Sequence, residues 1–401
     1  MEKKEKVCIL GLGYIGLPTA ALLANRGYHV LGVDVLPEVV DTINRGEIHI
    51  VEPDLDAFVH AAVHSGQLKA SLSPQEADIF LIAVPTPIHE DHSPDIGYVL
   101  SASRMIAPFV RPGNLIILES TSPVGTTEKV KAELEKAGVN TESLFFAYCP
   151  ERVLPGQVMK ELIENDRIVG GLNPAGTQKG AAFYKTFVKG AVLETNARTA
   201  EMCKLTENAS RDAGIAFANE LSIICDDLGI DVWELISLAN KHPRVNILRP
   251  GTGVGGHCIA VDPWFIVSRT PEKAKLIRQA REVNNYKTHW VIEKIINACL
   301  KFRIDRNRKP KVACLGLAFK PDIDDLRESP ALEVVRKLKE EKTECLVVEP
   351  NVDNHPEFEL TDLEDALTKA DIIVVLVGHS PFKKANLPED KQVLDFVGLH
   401  H

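Results

Sequence analysis

The sequence contains no apolar run of the roughly 18 residues that a membrane-crossing helix needs, so no span is expected. None of its eight cysteines, at 8, 149, 203, 225, 258, 299, 314 and 345, falls in a CxxC pair. That spacing speaks against a zinc site and against a secreted disulfide framework, and the expectation is no metal and a reducing compartment. Nor is there an excess of positive charge: 46 Lys and Arg stand against 56 Asp and Glu, for a net charge of -10. Nucleic acids and anionic membranes are gripped by basic faces, so neither is an expected partner. The opening Met1-Glu2-Lys3-Lys4-Glu5-Lys6 is charged and leads straight into a strand, which does not read as a signal peptide. The expectation is a soluble, cytoplasmic protein, an enzyme of small molecules.

What is present has an order. The 401 residues suggest two or three domains. Val7–Leu12, His29–Val33, Ile79–Val84, Leu115–Glu119 and Leu144–Ala147 are short, nearly continuous apolar runs, as parallel strands covered on both faces should be. Helical stretches such as Gly16–Gly27 and Gly125–Ala137 lie between them, which predicts a doubly wound parallel sheet. The middle differs. Met202, Leu205, Ala209, Ala213, Phe217, Leu221, Ile224 and Leu228 recur at spacings of three and four, which predicts one long helix over 199–228 with a buried stripe. More helix follows at Val232–Ala239 and from Glu272 to about Cys299. After Asn307-Arg308-Lys309-Pro310 the strand–helix rhythm returns, with strands at Lys311–Gly316, Glu344–Val348, Asp371–Val377 and Val393–Phe396. The fold class is therefore α/β, with two doubly wound, Rossmann-like sheets joined by an all-helical centre. The second half echoes the first, either as an internal repeat of architecture or as the same packing preference met twice.

Gly11-Leu12-Gly13-Tyr14-Ile15-Gly16 is a GxGxxG stretch between a predicted strand and helix, and the second strand ends at Asp34, 23 positions after Gly11. Gly11 permits a tight turn, Gly13 lets a pyrophosphate approach the backbone, and Gly16 lets helix pack on strand. A helix N-terminus offers N–H donors to the phosphates. Asp34 suits the ribose hydroxyls and repels a 2′-phosphate, which favours NAD over NADP.

The loops Val84-Pro85-Thr86-Pro87 and Glu119–Thr127 leave strand ends at the edge where such sheets bind ligands. Their hydroxyls serve either a ligand or, at Thr126 and Thr127, a helix cap. Cys149-Pro150-Glu151-Arg152 lies at the same edge, and Glu151 reads equally as a general base or as a surface ion pair. Lys204, Asn208 and Asp212 share one stripe of the long helix, either as a site or as a solvated face. Pro250–Phe265 carries four glycines in six residues before His257-Cys258. Such a loop wraps a ligand closely. A Cys at a helix start would have its thiolate favoured, though a lone Cys is commonly a buried hydrophobe. Gly316–Pro330 departs from GxGxxG and offers Lys320 and Arg327 to a phosphate-bearing ligand, or else is an acidic surface loop with internal ion pairs.

These motifs, in this order and over nearly the whole chain, closely resemble the UDP-glucose/GDP-mannose dehydrogenase family. Tyr148–Gly156 and Gly253–Phe265 resemble the branch acting on UDP-N-acetyl-D-mannosamine: His257 stands where the other branches have Ser, and no Lys precedes Asp262. The resemblance implies residues 1–196 as an NAD-binding domain, 197–300 as a central helical dimerisation region and 301–401 as a UDP-sugar-binding domain. It implies a four-electron oxidation of the sugar carbon-6 alcohol to a carboxylate, with two NAD+ consumed. Gly11, Gly13, Tyr14, Ile15, Gly16, Asp34, Thr86, Thr121 and Arg327 are the implied cofactor contacts. Cys258 is the implied nucleophile, with Lys204, Asn208, Asp262, Glu151 and Thr121 around the reaction. Glu151, Arg152, Lys204, Asn208, Gly255, Phe319 and Lys320 match contacts to the UDP-sugar, and Arg244 matches a residue contributed by the neighbouring subunit of a homodimer. Asp212 is given no role beyond structure.

Overall fold

A computed structural model describes residues 5–154, 156–399 and 401; Met1–Lys4 of the charged opening, Pro155 and His400 lie outside the described residues. The chain packs as two compact units, one of Met1–Glu207 and Trp264–Arg269, the other of Asn208–Pro263 and Thr270–His401.

The first unit runs β1 (Lys6–Leu10), α1 (Gly16–Asn25), β2 (His29–Val33), α2 (Pro37–Asn44), α3 (Leu55–His64), β3 (Leu68–Ser71), β4 (Ile79–Ile82), α4 (Gly97–Ile106), β5 (Leu115–Leu118), α5 (Thr126–Lys136), β6 (Phe145–Tyr148), α6 (Val158–Glu164), β7 (Arg167–Gly171), α7 (Pro174–Tyr184) and β8 (Val192–Asn196). The strands form one sheet in the order β3-β2-β1-β4-β5-β6-β7-β8. The first six stand in the order of a doubly wound dinucleotide-binding sheet. Side chains alternate across a strand, so an unbroken apolar run feeds two cores. Val7, Ile9, Ile79, Leu81, Leu115 and Ile117 pack on one face. Cys8, Leu10, Phe80, Ile82, Ile116 and Leu118 pack on the other.

A long helix, α8 (Ala197–Leu228), leaves this sheet, followed by α9 (Val232–Ala239), α10 (Asp262–Arg269) and α11 (Lys275–Arg306). The second unit then builds β9 (Lys311–Leu315), α12 (Pro330–Glu340), β10 (Glu344–Val348), α13 (Leu363–Lys369), β11 (Ile372–Val375), α14 (Ser380–Lys384) and β12 (Gln392–Asp395). Its sheet is parallel throughout, in the order β10-β9-β11-β12. Among the described residues no helix is long and apolar enough to cross a membrane.

The long helix exists as expected, and its apolar stripe is buried at Leu205 and Ala209 but not in the second half. Phe217, Ile224 and Leu228 are 56%, 43% and 66% exposed. The side facing α11 carries Asp212, Ala216, Asn219 and Ser222, all buried. Buried polar groups demand partners, and here they pair with one another. Asp212 Oδ1 accepts from Arg281 Nη1 at 2.6 Å and from Asn284 Nδ2 at 2.8 Å. Asn219 bonds Asn284 at 2.9 Å and, through its oxygen, accepts from the Gly251 amide at 2.9 Å. A polar ladder between two helices therefore also anchors the start of the glycine-rich loop.

Candidate active site

The Gly11–Gly16 turn lies between the ends of β1 and β4, where the strand order reverses. Gly11 has φ +90°, and a Cβ there would sit 2.4 Å from the Ala83 carbonyl oxygen. A Cβ on Gly16 would lie 1.8 Å from the Gly11 oxygen, while one on Gly13 would meet nothing within 4 Å. The first and third glycines thus close the turn, and the second leaves a clear approach to the backbone. No side chain caps α1, so its first N–H groups face that approach, beside the exposed Tyr14 and half-buried Ile15. Asp34 is fixed by two amides, Leu12 N at 3.0 Å and Leu36 N at 3.1 Å. A dinucleotide fits this cradle: room at Gly13 for a diphosphate, and a half-buried carboxylate at the end of β2.

The next two loops of the first unit are stitched together. Thr86 Oγ1 donates to the Thr121 carbonyl at 2.5 Å, and Ser120 Oγ to the Val84 carbonyl at 2.7 Å. Thr126 and Thr127 are structural: the Glu201 carboxylate accepts from Gly125 N, Thr127 N and Thr127 Oγ1 at 2.6–2.8 Å and so caps α5 from another helix. Glu151 is buried and ion-paired to Arg167, Nη1 to Oε2 at 2.5 Å. Its neighbour Arg152 bonds Glu207 at 2.9 Å and the Asp166 carbonyl at 2.5 Å. Lys204 is half-buried on α8, one turn before Asn208.

In the second unit the glycine-rich loop is clamped. Thr252 Oγ1 donates to the Leu376 carbonyl at 2.6 Å, and Gly256 N to the Arg327 carbonyl at 3.2 Å. A Cβ on Gly255 would lie 2.3 Å from the Glu328 oxygen and 2.8 Å from Phe319 Cβ, so only glycine lets the two loops touch. Cys258 is exposed and does not start a helix. It is the second residue of a turn over residues 257–261, and its carbonyl accepts from Asp262 N at 2.8 Å, where α10 begins. Asp262 is buried and accepts from Asn208 Nδ2 at 2.5 Å. Two of the predicted residues thus meet, one helical turn beyond the thiol. Arg327 pairs with Asp325 at 2.6 Å, and Lys320 and Arg244 are exposed.

A cavity of about 280 Å³ opens at the carboxyl ends of β9, β11 and β12, again where strand order reverses. Pro250, Gly253, Phe319 and Val397 form its apolar walls, and Arg249 and Lys383 supply cations. Sequence reading missed both cations. Glu349, which ends β10 as Asp34 ends β2, is turned onto its own loop: it accepts from Leu317 N at 2.7 Å and Ala318 N at 3.0 Å and faces His379 at 3.1 Å. Those contacts hold its carboxyl down at about 2, against the push of burial.

Three domains of one family match the chain in order. They are the UDP-glucose/GDP-mannose dehydrogenase family's NAD binding domain over residues 5–188, its central domain over 198–286 and its UDP binding domain over 313–398. A UDP-N-acetyl-D-mannosamine dehydrogenase of Escherichia coli (strain K12) is 57% identical over 95% of each chain. An NDP-N-acetyl-D-galactosaminuronic acid dehydrogenase of Ralstonia solanacearum is 53% identical over 98% of this chain and 96% of its own. Among solved structures, a UDP-D-ManNAc dehydrogenase from Pyrococcus horikoshii superposes with a TM-score of 0.90 at 38% identity, covering 99% of this chain and 96% of that one.

Proposed function

The chain belongs to the UDP-glucose/GDP-mannose dehydrogenase family of NAD-dependent enzymes, and on that premise we propose that it oxidises UDP-N-acetyl-D-mannosamine at carbon 6 to UDP-N-acetyl-D-mannosaminuronate, a building block for surface polysaccharide. The observation that carries the four-electron reading is the exposed Cys258 at the end of a clamped glycine loop, with Asp262 fixed by Asn208 one turn on. A two-electron hydroxyacid dehydrogenase, the rival with a similar N-terminal sheet, needs neither that thiol nor a second α/β half.

NAD, held at Gly11–Gly16 and Asp34, supplies hydride acceptance for each of the two oxidations. In the first, Lys204 and a water held by Asn208 and Asp262 take the alcohol's proton and balance the developing oxyanion. The Cys258 thiolate then bonds to the aldehyde carbon, giving a thiohemiacetal that keeps the aldehyde from escaping. Loss of the second hydride and of the hydroxyl proton leaves a thioester. Glu151 activates the water that cleaves it. The diphosphate lies by Arg249 and Lys383, with the nucleoside against Phe319 and Pro250. The 53% identical galactosaminuronate relative makes an epimeric N-acetyl sugar nucleotide the second reading.

NADH formed per sugar consumed tests the proposal, across UDP-N-acetylmannosamine, UDP-N-acetylglucosamine, UDP-N-acetylgalactosamine and UDP-glucose. Two NADH and an acid are expected, fastest on the first. A ratio near one with an aldehyde or ketose product sinks the four-electron reading.

Cofactor choice is tested at Asp34. Its anchored carboxylate places like charge where a ribose 2′-phosphate would go. NAD+ is expected to be used far faster than NADP+, and Asp34→Asn is expected to narrow the ratio about tenfold or more. Equal use of both by the unaltered enzyme would show that Asp34 does not read the ribose.

A further inference from the structure

The loop after β9 and the helix after β11 both line the cavity of the second unit, and one buried imidazole joins them. His379, the residue before α14, is 0% exposed. Its Nδ1 accepts from the Asp322 backbone amide at 2.9 Å and from Asn351 Nδ2 at 3.0 Å. A backbone amide can only donate, so Nδ1 carries no proton. The ring proton is therefore on Nε2, which donates to Glu349 Oε2 at 3.1 Å. That carboxylate oxygen also holds the Leu317 and Ala318 amides. Glu349 thus selects one tautomer, and that tautomer presents its acceptor to Asp322. Asp322 completes the joint from the exposed side: its carboxylate accepts from Ser380 N and Ser380 Oγ, both at 2.7 Å. The backbone of Asp322 has φ +60°, a left-handed conformation disfavoured outside glycine, and these three hydrogen bonds hold it there. Neither His379 nor Asp322 lines the cavity, but their neighbours do: Phe319 and Pro321 from the loop, Gly378 and Lys383 from the helix side. A Cβ on Gly378 would lie 3.9 Å from Lys383 Cε, so the lysine folds back toward the end of β11.

We propose that His379 is a positioning residue for nucleotide binding, with Asp322 as its outer partner: together they hold Phe319 and Lys383 in the one arrangement that grips a nucleoside diphosphate. The inference rests on the reading of this cavity as the diphosphate site. Phe319 offers apolar surface and Lys383 a cation, and each lies beyond the last residue of its strand, where the sheet's hydrogen bonds no longer fix it. Two ligand-binding groups on separate loops must be ordered together when the ligand arrives, and that ordering weakens binding. The joint supplies the order beforehand. Its inner half is the neutral imidazole, which donates to one segment and accepts from the other. Its outer half is the Asp322 carboxylate, which ties the loop to the first residue of α14.

The test is UDP binding to the full enzyme by titration calorimetry, beside steady-state kinetics with UDP-N-acetylmannosamine. Two substitutions divide the ring between them. In His379→Asn the amide oxygen falls where Nδ1 stands and still accepts from Asp322. In His379→Gln the amide reaches the Nε2 position and bonds Glu349, leaving the Asp322 amide without its acceptor. His379→Asn is expected to keep UDP affinity within about threefold, and His379→Gln to lose about tenfold or more. For His379→Gln the KM for the UDP-sugar should rise in step, while kcat and the KM for NAD+ stay within about twofold. Asp322→Gly suits φ +60°, keeps the backbone amide and removes both bonds to Ser380 from an exposed position. It is expected to weaken UDP about three- to tenfold. A merely structural role would lower the melting temperature and the fraction of molecules that bind, leave the dissociation constant in place, and make the two His379 variants alike. Equal UDP affinity in those two variants, or unchanged affinity in Asp322→Gly, overturns the proposal; the second result decides if His379→Gln does not fold. Lys383→Met separates the two layers. If it weakens UDP about tenfold while the His379 variants bind alike, only the joint falls. If it leaves UDP binding unchanged, the cavity reading falls and this proposal with it.

Discussion

Cys258→Ala is expected to form no acid, with the fold intact. The loop that carries the thiol is anchored through other residues: Gly251 N on Asn219, Thr252 Oγ1 on the Leu376 carbonyl, Thr288 Oγ1 on the Thr252 carbonyl at 3.2 Å and Gly256 N on the Arg327 carbonyl. Cys258 itself is exposed, so shortening it removes little packed surface. Surface substitutions away from such anchors cost within about 0.5 kcal/mol. The rate consequence is of another order. Without a nucleophile there is no thiohemiacetal to give up the second hydride, and losing a covalent nucleophile costs about a thousandfold or more in turnover. The first oxidation needs no thiol, so the variant should make at most one NADH per sugar, as aldehyde. Uronate measured by mass spectrometry, beside the melting temperature, checks both halves. Acid formed at the normal rate would return Cys258 to the bland reading of a lone thiol.

The parts legible in the sequence are those whose physics is local. β1, β4 and β5 sit in the middle of a sheet covered on both faces, so every residue but Lys6 is apolar and the runs stand out. β3 and β8 are edge strands. β3 buries only Leu68 and Ala70, and β8 buries no residue of Val192–Asn196, so neither leaves a run to find. β7 was hidden for another reason: it ends in Gly170-Gly171, where a Cβ would fall 2.2 Å from the Asn196 oxygen and 2.2 Å from Thr177 N. The same limit applies to α8. Periodicity located the helix, but beyond Ala209 its buried side carries Asp212, Asn219 and Ser222, and the pairing of Asp212 with Arg281 joins residues 69 positions apart. At the site, the glycines and Asp34 were readable because each answers a demand of its own backbone or ligand. Asn208 and Asp262 were put at one site only by the resemblance, because no spacing rule joins residues 54 positions apart. Glu119 read as the end of a strand, because its partner Tyr184 lies 65 residues on and no spacing rule connects the two.

Assembly gives the remaining large effect. Phe217, Ile224 and Leu228 leave an apolar stripe of α8 uncovered, with Leu300 and Ile304 of α11 exposed at 50% and 81%. Apolar surface of that extent is commonly covered by a partner, and we propose a two-fold homodimer through these helices. Arg244 lies in the same unit on Lys241–Asn246, between α9 and the glycine loop. It is exposed, and among the described residues its guanidinium makes no hydrogen bond or ion pair. A planar fork of donors suits a diphosphate or a sugar carboxylate. If it serves the partner's substrate, Arg244→Ala and Cys258→Ala should each be inactive alone, yet complement when subunits exchange. Each mixed dimer then carries one site damaged twice and one site intact. Random exchange of an equal mixture makes about half the dimers mixed, so activity should return to about a quarter of normal. Exchange is followed independently by native mass spectrometry of a heavy-isotope-labelled subunit. Exchange without recovered activity would place Arg244 in its own chain's site, because a residue serving its own subunit puts both lesions in separate sites and leaves every mixed dimer without a working one.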